Sequence, residues 1–386
     1  MILFPSLRQV SRARDELRRR RALRSRVRSA VKAVSGDEPL VTVGVTAHNE
    51  GERITRCLES ILEQSLGAGH IEVIVVDDGS SDGTADTAEA FADSAGWAGF
   101  EVHRQGNTGT PSRGRNLIME RARGEFVFLA DGDDYLGPQA LEAMTREAAV
   151  RDAQVVTGHY VGVNRPAPNI RDAQGTRVHE YHSGWLNSLH VQKLFRTEFL
   201  RSLPYRFNEQ LIYCNDHPFM VAAFLYAQRT SRVDDVDCYF ITLEADDPSE
   251  VQRRVSRGNI SRAEITAVQQ LRFLHDVFGL LALARGGAGD VGKLAGRMRV
   301  HYWNRFLKNQ LPALILRKQD PSLALELAQH ARYMTVLYGV QASTSGLTEE
   351  ARLMLSALQS DEAQEIQAAA LQVREQARAK ADGASA

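Results

Sequence analysis

Phe126-Val-Phe-Leu-Ala-Asp131-Gly132-Asp133-Asp134 runs five apolar residues straight into three carboxylates and a glycine. The apolar part reads as a buried strand, so its acidic end aims negative charge at one point beyond the sheet edge. Uncompensated, that charge is costly; a divalent cation with oxygen ligands offsets it. An acidic turn closing a strand is the plain alternative for an isolated Asp-x-Asp. The flanking chain decides between the two.

Upstream, Val41-Thr-Val-Gly-Val-Thr46 is a short β-rich run that Ala47-His-Asn-Glu50 leaves. Asn49 and Glu52 have the spacing of a capping box, and Ile54, Cys57, Leu58, Ile61 and Leu62 follow at helix spacing. Gly67-Ala-Gly69 ends that helix. Ile71-Glu-Val-Ile-Val-Val76 is a second buried strand, followed by Asp77-Asp78-Gly-Ser-Ser-Asp-Gly-Thr84 and a helix over 84–95. Strand-helix alternation with runs apolar on both faces predicts a parallel sheet with right-handed crossovers. In such sheets ligands bind beyond the carboxyl ends of the strands. Thr46–Asn49, Asp77–Ser80 and Asp131–Asp134 all lie at such ends. Phe100-Glu-Val-His103 reads as an edge strand, and Asn107–Ser112 as a turn into a helix over 113–122 that carries Arg115 and Asn116. Gly137-Pro138 is expected to open another helix, and Val155-Val156 a short strand.

The chain has 386 residues, 43% hydrophobic and 25% charged, which suits a globular protein with a sizeable core and more than one domain. Its net charge of −1 gives no global sign of nucleic-acid binding. Cys57, Cys214 and Cys238 lack metal-ligand spacing and predict a reducing compartment without disulfides. No apolar run is long enough for a transmembrane helix, and Met1-Ile-Leu-Phe4 turns basic instead of continuing as a signal peptide, so a cytoplasmic location is expected. Residues 1–38 hold ten arginines and one lysine against four acidic residues. Apolar residues at helical spacing among them read as a basic amphipathic extension. It lies on the inner face of an anionic plasma membrane, docks a partner, or stays solvated.

The segments Val43–Asn49, Val75–Thr84, Arg115-Asn116 and Gly124–Asp134 follow, in order and spacing, the pattern of family 2 glycosyltransferases, which the chain resembles. Lys193-Leu-Phe-Arg-Thr-Glu-Phe-Leu200, Phe207-Asn-Glu209 and Asn215-Asp216-x-x-Phe219 extend the resemblance over residues 40–245. It implies an inverting enzyme with the GT-A fold: an α/β, mostly parallel Rossmann-like sheet flanked by helices. Within the family, Asn107-x-Gly-Thr-Pro111 and Val255–Arg262 resemble members that decorate or build anionic cell-envelope polymers such as teichoic acids.

The resemblance also implies roles. Asp78 accepts from the uracil N3–H of a UDP-sugar, or caps the turn after its strand, while Asp77 is structural. Thr46 and His48 contact or stack on the base, and Asn49 and Gly132 complete the nucleotide-sugar side. Asp133 is the implied direct ligand of Mn²⁺ or Mg²⁺, with Asp131 at ribose or a metal-bound water. Family members often carry another residue at position 132, so glycine there is expected not to matter. Asp134 is left to cap the following turn. Asp216 is the implied base that takes the proton of an acceptor hydroxyl. Placed just ahead of a helix starting at Pro218, it is expected to be held ionised by the helix dipole. Asn215 stands where the family usually has Glu and, with Lys193 at the start of a helix, falls on the acceptor side. Trp185 either stacks on a sugar there or packs in the core. Arg115 meets the diphosphate, or salt-bridges Glu125 or a site aspartate.

After Arg262 strand signals vanish, and helical patterns run at about 262–284, 291–317, 321–340 and 347–381. Ile366, Ala370, Val373 and Ala377 form a narrow seam, for self-association or for docking on the protein's own body. Arg253, Arg254, Arg257 and Arg262 either meet a phosphate-rich acceptor or form a charged linker. Gly287-x-x-x-x-Gly292-Lys293-Leu294 lacks both the hydroxyl residue and the preceding strand of a phosphate loop. The expected organisation is a 1–38 extension, a 40–250 catalytic domain with a nucleotide-sugar half (40–150) and an acceptor half (151–250), and a 260–386 helical domain for acceptor or oligomer. The function expected is hexosyl or N-acetylhexosaminyl transfer from a nucleotide sugar. A degenerate member acting as a binding scaffold is the alternative. A nucleotidyltransferase is disfavoured, since no glycine- and lysine-rich loop follows the first strand.

Overall fold

The computed structural model describes residues 38–92, 96–168, 183–243, 265–286, 289–318, 320–340 and 344–383. The basic segment before residue 38 and the arginine cluster at 253–262 lie outside these. The strands are β1 (Val41–Ala47), β2 (Ile71–Asp77), β3 (Gly99–Arg104), β4 (Phe126–Asp131), β5 (Tyr135–Leu136), β6 (Val155–Val163), β7 (Leu194–Arg196) and β8 (Thr230–Thr242). They form one sheet in the order β3-β2-β1-β4-β7-β6-β8-β5. The Val/Ile-rich β1 and β2, and β4 up to its last residue, are buried on both faces, and β1 pairs in parallel with β2 and β4. β3 closes that half as the expected edge strand. Beyond β4 the sheet is mixed: β7 is antiparallel to β4 and β6, β6 is parallel to β8, and β5 is antiparallel to β8.

Helices α1 (Gly51–Leu62), α2 (Thr84–Ala92), α3 (Ser112–Arg121) and α4 (Ala140–Arg151) serve the sheet. Gly44 lets α3 approach β1, because a Cβ there would lie 2.2 Å from Ile118 Cγ2. The expected capping box does not form. Asn49 has φ of 54°, its carbonyl Oδ1 accepts from Ser81 N at 2.9 Å, and Glu50 is the residue at the cap. Thr84 caps α1 from outside, its Oγ1 accepting from Glu50 N at 2.8 Å and Gly51 N at 3.0 Å. Likewise Pro138 sits in a turn and α4 starts at Ala140.

The 193–200 stretch, expected to open a helix, is β7 followed by the short α5 (Thr197–Ser202). α6 (Asp216–Tyr226) begins at Asp216 itself, two residues before the proline. The remaining helices are α7 (Ala267–Leu271), α8 (Phe273–Arg285), α9 (Asp290–Arg305), α10 (Leu311–Arg317, joined to α9 by a π turn), α11 (Pro321–Leu337), α12 (Glu349–Ala357) and α13 (Ala363–Gly383). Gly292-Lys293-Leu294 lies inside α9, as its dismissal as a phosphate loop requires. The single helix expected over 347–381 is two, α12 and α13. In the seam on α13, Ile366, Ala370 and Val373 are buried against the protein's own α10, α11 and α12. One apolar core joins this third to the sheet: Phe219 and Phe224 of α6 belong with Phe273, Phe278, Trp303 and Phe306. No described helix is long and apolar enough to cross a membrane.

Candidate active site at the carboxyl ends of the central strands

Register brings three motifs together. Thr46 pairs with Asp131 across β1 and β4, and Ala47 pairs with Asp77 across β1 and β2. The carboxyl ends of three neighbouring parallel strands therefore open onto one place, where α/β sheets bind ligands.

At the acidic corner, oxygens of Asp131, Asp133 and Asp134 lie within 4.8 Å of one another. They are not equivalent. Asp134 turns inward, its Oδ1 accepting from Thr242 N at 2.7 Å, so it holds β8 and does not cap the following turn. Burial, then Asp133 and Asp131, push its pKa well up. Asp131 is held on both oxygens: Oδ1 accepts from Arg115 Nη2 at 2.8 Å and Oδ2 from Gln192 Nε2 at 2.7 Å. Thr46 Oγ1 is 3.4 Å from the same Oδ1. The Asp133 carboxylate accepts no hydrogen bond from another described residue, and burial followed by the Asp131 charge raises its pKa to about 6. Its backbone oxygen is fixed by Thr242 Oγ1 at 2.6 Å and Arg56 at 3.1 Å. Gly132 is not the indifferent position expected. A Cβ there would meet Ala47 Cβ at 3.0 Å, Glu50 Cγ at 3.2 Å and Ile54 Cδ1 at 3.2 Å.

A fourth acid, Glu50, escaped the sequence reading although it stands in the Ala47-His-Asn-Glu50 strand exit. Burial, then the Asp133 charge, lift its pKa to about 8, against the lowering effect of Arg53, whose Nη2 is 2.8 Å away. Three carboxylates displaced upward at one sheet end mark an excess of negative charge there that the neighbouring arginines do not cancel.

The Asp78 carboxylate accepts from Gln105 Nε2 at 2.7 Å, Thr108 N at 3.1 Å and Thr108 Oγ1 at 3.0 Å. A carboxylate offers about four lone-pair sites, which leaves about one for a ligand. The turn-capping alternative belongs to Asp77, whose Oδ2 accepts from Ser80 N at 3.1 Å. His48 is exposed. Its Nε2 faces the amide nitrogens of Asn49 at 3.0 Å and Asn107 at 3.3 Å, so it accepts, and Nδ1–H donates to Asp78 O at 2.8 Å. Those three contacts fix the ring at the site's rim.

Asp216 heads α6 and is half-buried, with no hydrogen bond to its carboxylate from another described residue. Contrary to expectation, the helix dipole does not prevail: burial raises its pKa, with Arg115 pulling the other way. Arg115, 4% exposed, joins the two corners by donating to Asp131 and, through Nη1, to Asn215 Oδ1 at 3.1 Å. Of its two candidate salt bridges the structure takes the site aspartate; Glu125 pairs with Arg196 instead. Asn215 is buried and donates to Thr110 Oγ1 at 3.1 Å, so it braces the network and does not face an acceptor.

Two other acceptor-side candidates belong to the core. Trp185 is 3% exposed and packs on Phe224 with ring centroids 5.5 Å apart. Lys193 is fully buried beside it, donating to Tyr160 OH at 3.1 Å and to His190 O, next to a cavity of about 10 Å³ with room for about one water. Burial lowers its pKa to about 7.

Residues 42–247 match the model of glycosyl transferase family 2. Over 203 residues the chain is 29% identical to a poly(ribitol-phosphate) beta-N-acetylglucosaminyltransferase, TarS, of Staphylococcus aureus, covering 52% of this chain and 35% of that one. Over 207 residues it is 26% identical to a poly(ribitol-phosphate) beta-glucosyltransferase of Bacillus spizizenii, covering 52% and 32%. The chain thus spans about a third of the length of these relatives. A crystal structure of S. aureus TarS 1-349 in complex with UDP-GlcNAc superposes with a TM-score of 0.72 at 20% identity, over 88% of this chain and 92% of that one. The shared fold is GT-A.

Proposed function

The chain belongs to glycosyl transferase family 2, and from that premise we propose that it is a metal-dependent, inverting glycosyltransferase. It moves a hexosyl or N-acetylhexosaminyl group from a UDP-sugar to a hydroxyl of an anionic cell-envelope polymer such as teichoic acid. The observation that carries this reading is one network, Asp131–Arg115–Asn215, that links Asp133 to Asp216, whose carboxylates accept no hydrogen bond from another described residue, at the carboxyl edge of the sheet. The acceptor class rests on the poly(ribitol-phosphate) substrates named for two relatives.

The acidic corner suits a hard divalent cation: all its donors are carboxylate oxygens, and Asp133 and Glu50 sit well above the ordinary acid range. Asp133 would hold Mn²⁺ or Mg²⁺, with Asp131 oriented beside it. When bound, the ion stabilises negative charge developing on the departing diphosphate. Asp78 would use its remaining lone pair on an imide N–H, which favours uracil, and His48 would cover the base. Asp216 takes the proton as the acceptor oxygen bonds to the anomeric carbon and the bond to the diphosphate breaks. Its raised pKa makes it a stronger base than a solvent-exposed aspartate. The helical third would hold the acceptor or a second copy, and the basic N-terminal segment would bring the enzyme to the inner face of the plasma membrane.

Thermal stabilisation by a panel of nucleotide sugars with Mn²⁺ tests the donor, since selective binding raises apparent stability by mass action. UDP-sugars should shift the melting temperature most; no shift with any nucleotide would overturn the reading.

A further inference from the structure

The geometry points to Gln192 as a positioning residue that fixes Asp131 for donor binding, an inference that rests on the transferase reading above. Gln192 is 5% exposed, and its Nε2 donates to Asp131 Oδ2 at 2.7 Å. Its Oε1 is buried without a hydrogen-bond partner among the described residues. Turning the amide over would set Oε1 against a carboxylate oxygen, so the hydrogen bond fixes which atom is which. The amide nitrogen, not the amide oxygen, is therefore the atom of Gln192 that the site engages.

The backbone that carries the amide is itself anchored. Tyr160, 2% exposed, donates its OH to Gln192 O at 2.8 Å and accepts from Lys193 Nζ at 3.1 Å. Two residues on, Leu194 pairs with Phe128 of β4, so Gln192 runs beside the end of the strand that delivers Asp131. Arg115 takes the other carboxylate oxygen from a different element. Held on both oxygens, Asp131 cannot pivot about one bond and presents a single orientation to whatever Asp133 and the diphosphate bring. Arg115 supplies charge balance; Gln192 supplies only direction.

Residues that orient metal-site carboxylates typically carry about 10–100-fold in metal affinity or activity. The experiment is a double-mutant cycle on the full chain, with Mn²⁺ affinity read by electron paramagnetic resonance in the presence of UDP. Gln192→Met should weaken Mn²⁺ binding about tenfold or more at an unchanged circular dichroism spectrum. Adding it to Asp131→Asn should cause no further loss. Independent, multiplying losses would overturn the proposal, as would a Gln192→Met affinity within about twofold of the native protein. Should Gln192→Met not fold, Gln192→Glu keeps the shape but opposes Asp131 with a carboxylate, and binding like the native protein's would overturn it. Native protein that binds no Mn²⁺ with UDP would remove the transferase reading itself, and this inference with it.

Discussion

Arg115 Nη2 donates to Asp131 Oδ1 at 2.8 Å, burying a guanidinium against the carboxylate that ends β4. The same guanidinium reaches Asn215, the neighbour of Asp216, at 3.1 Å. One fork thus links the acidic corner to the head of α6, where the proposed base Asp216 stands.

Arg115→Met should lower kcat/KM by about 10–100-fold, in line with about 1.5–3 kcal/mol for a hydrogen bond to a charged group. Arg115→Lys should recover little, because a point charge cannot span two acceptors as the planar fork does. Arg115 also lowers the pKa of Asp216, which burial raises above 3.8. As the proposed base, Asp216 would act deprotonated, so activity should fall as pH drops through its folded pKa. That acid limb should lie above the ordinary aspartate range and move further up in Arg115→Met. An unmoved limb in the pH–rate profile would count against the coupling.

Thr84→Val tests the cap on α1. Its hydroxyl accepts from both Glu50 N and Gly51 N, and Thr84 is fully buried. A loss of about 1–2 kcal/mol is expected in urea unfolding. Asn49→Ala, at an exposed residue that holds the Ser81 turn but does not cap α1, should cost less. Equal losses would restore Asn49 as the cap.

Gly132→Ala should destabilise by about 1–3 kcal/mol, since three neighbours must give by a few tenths of an ångström. Because Glu50 and Ala47 are among them, kcat should fall as well. Stability and rate both matching the native protein would show that the corner relaxes freely.

Lys193 predicts a pH dependence of stability. Burial lowers its pKa from 10.5 to about 7. Between those values the unfolded chain binds the extra proton, so stability rises with pH through that window. Below about pH 7 both states are protonated and the cost of burying the ammonium, a few kcal/mol, is fully present. Lys193→Met should flatten the rise in unfolding free energy between pH 7 and 10. An equally steep rise in the variant would contradict this.

The parallel half of the fold was legible because β1, β2 and β4 are short runs rich in Val, Ile and Phe, and the exits of β2 and β4 carry the acidic motifs. The mixed half was not. β7 is three residues long, and Leu194-Phe195-Arg196 followed by Thr197-Glu198 reads as one helix until β4 is seen to pair with it. In β8 the exposed Asp234 and Asp235 break the alternation that would mark a 13-residue strand. At the candidate site, the motifs that carry the family resemblance single out Asp78, Asp131, Asp133 and Asp216. Lys193 is buried instead of facing an acceptor, and Trp185 takes the core-packing alternative, because nothing in their local sequence separates a buried cation or indole from a ligand-facing one. Gln192 carried no signal at all, since its role exists only once β7 lies beside β4. Glu50 was visible in the strand exit but was read past as part of the turn.

The most direct measurement of the central claim is transfer from UDP-GlcNAc to poly(ribitol phosphate) with Mn²⁺ by Asp216→Asn, alongside UDP binding by the same variant. The account predicts turnover reduced about 10²–10⁴-fold, the range for loss of a general base, with UDP binding retained. Turnover within tenfold of the native enzyme would contradict it.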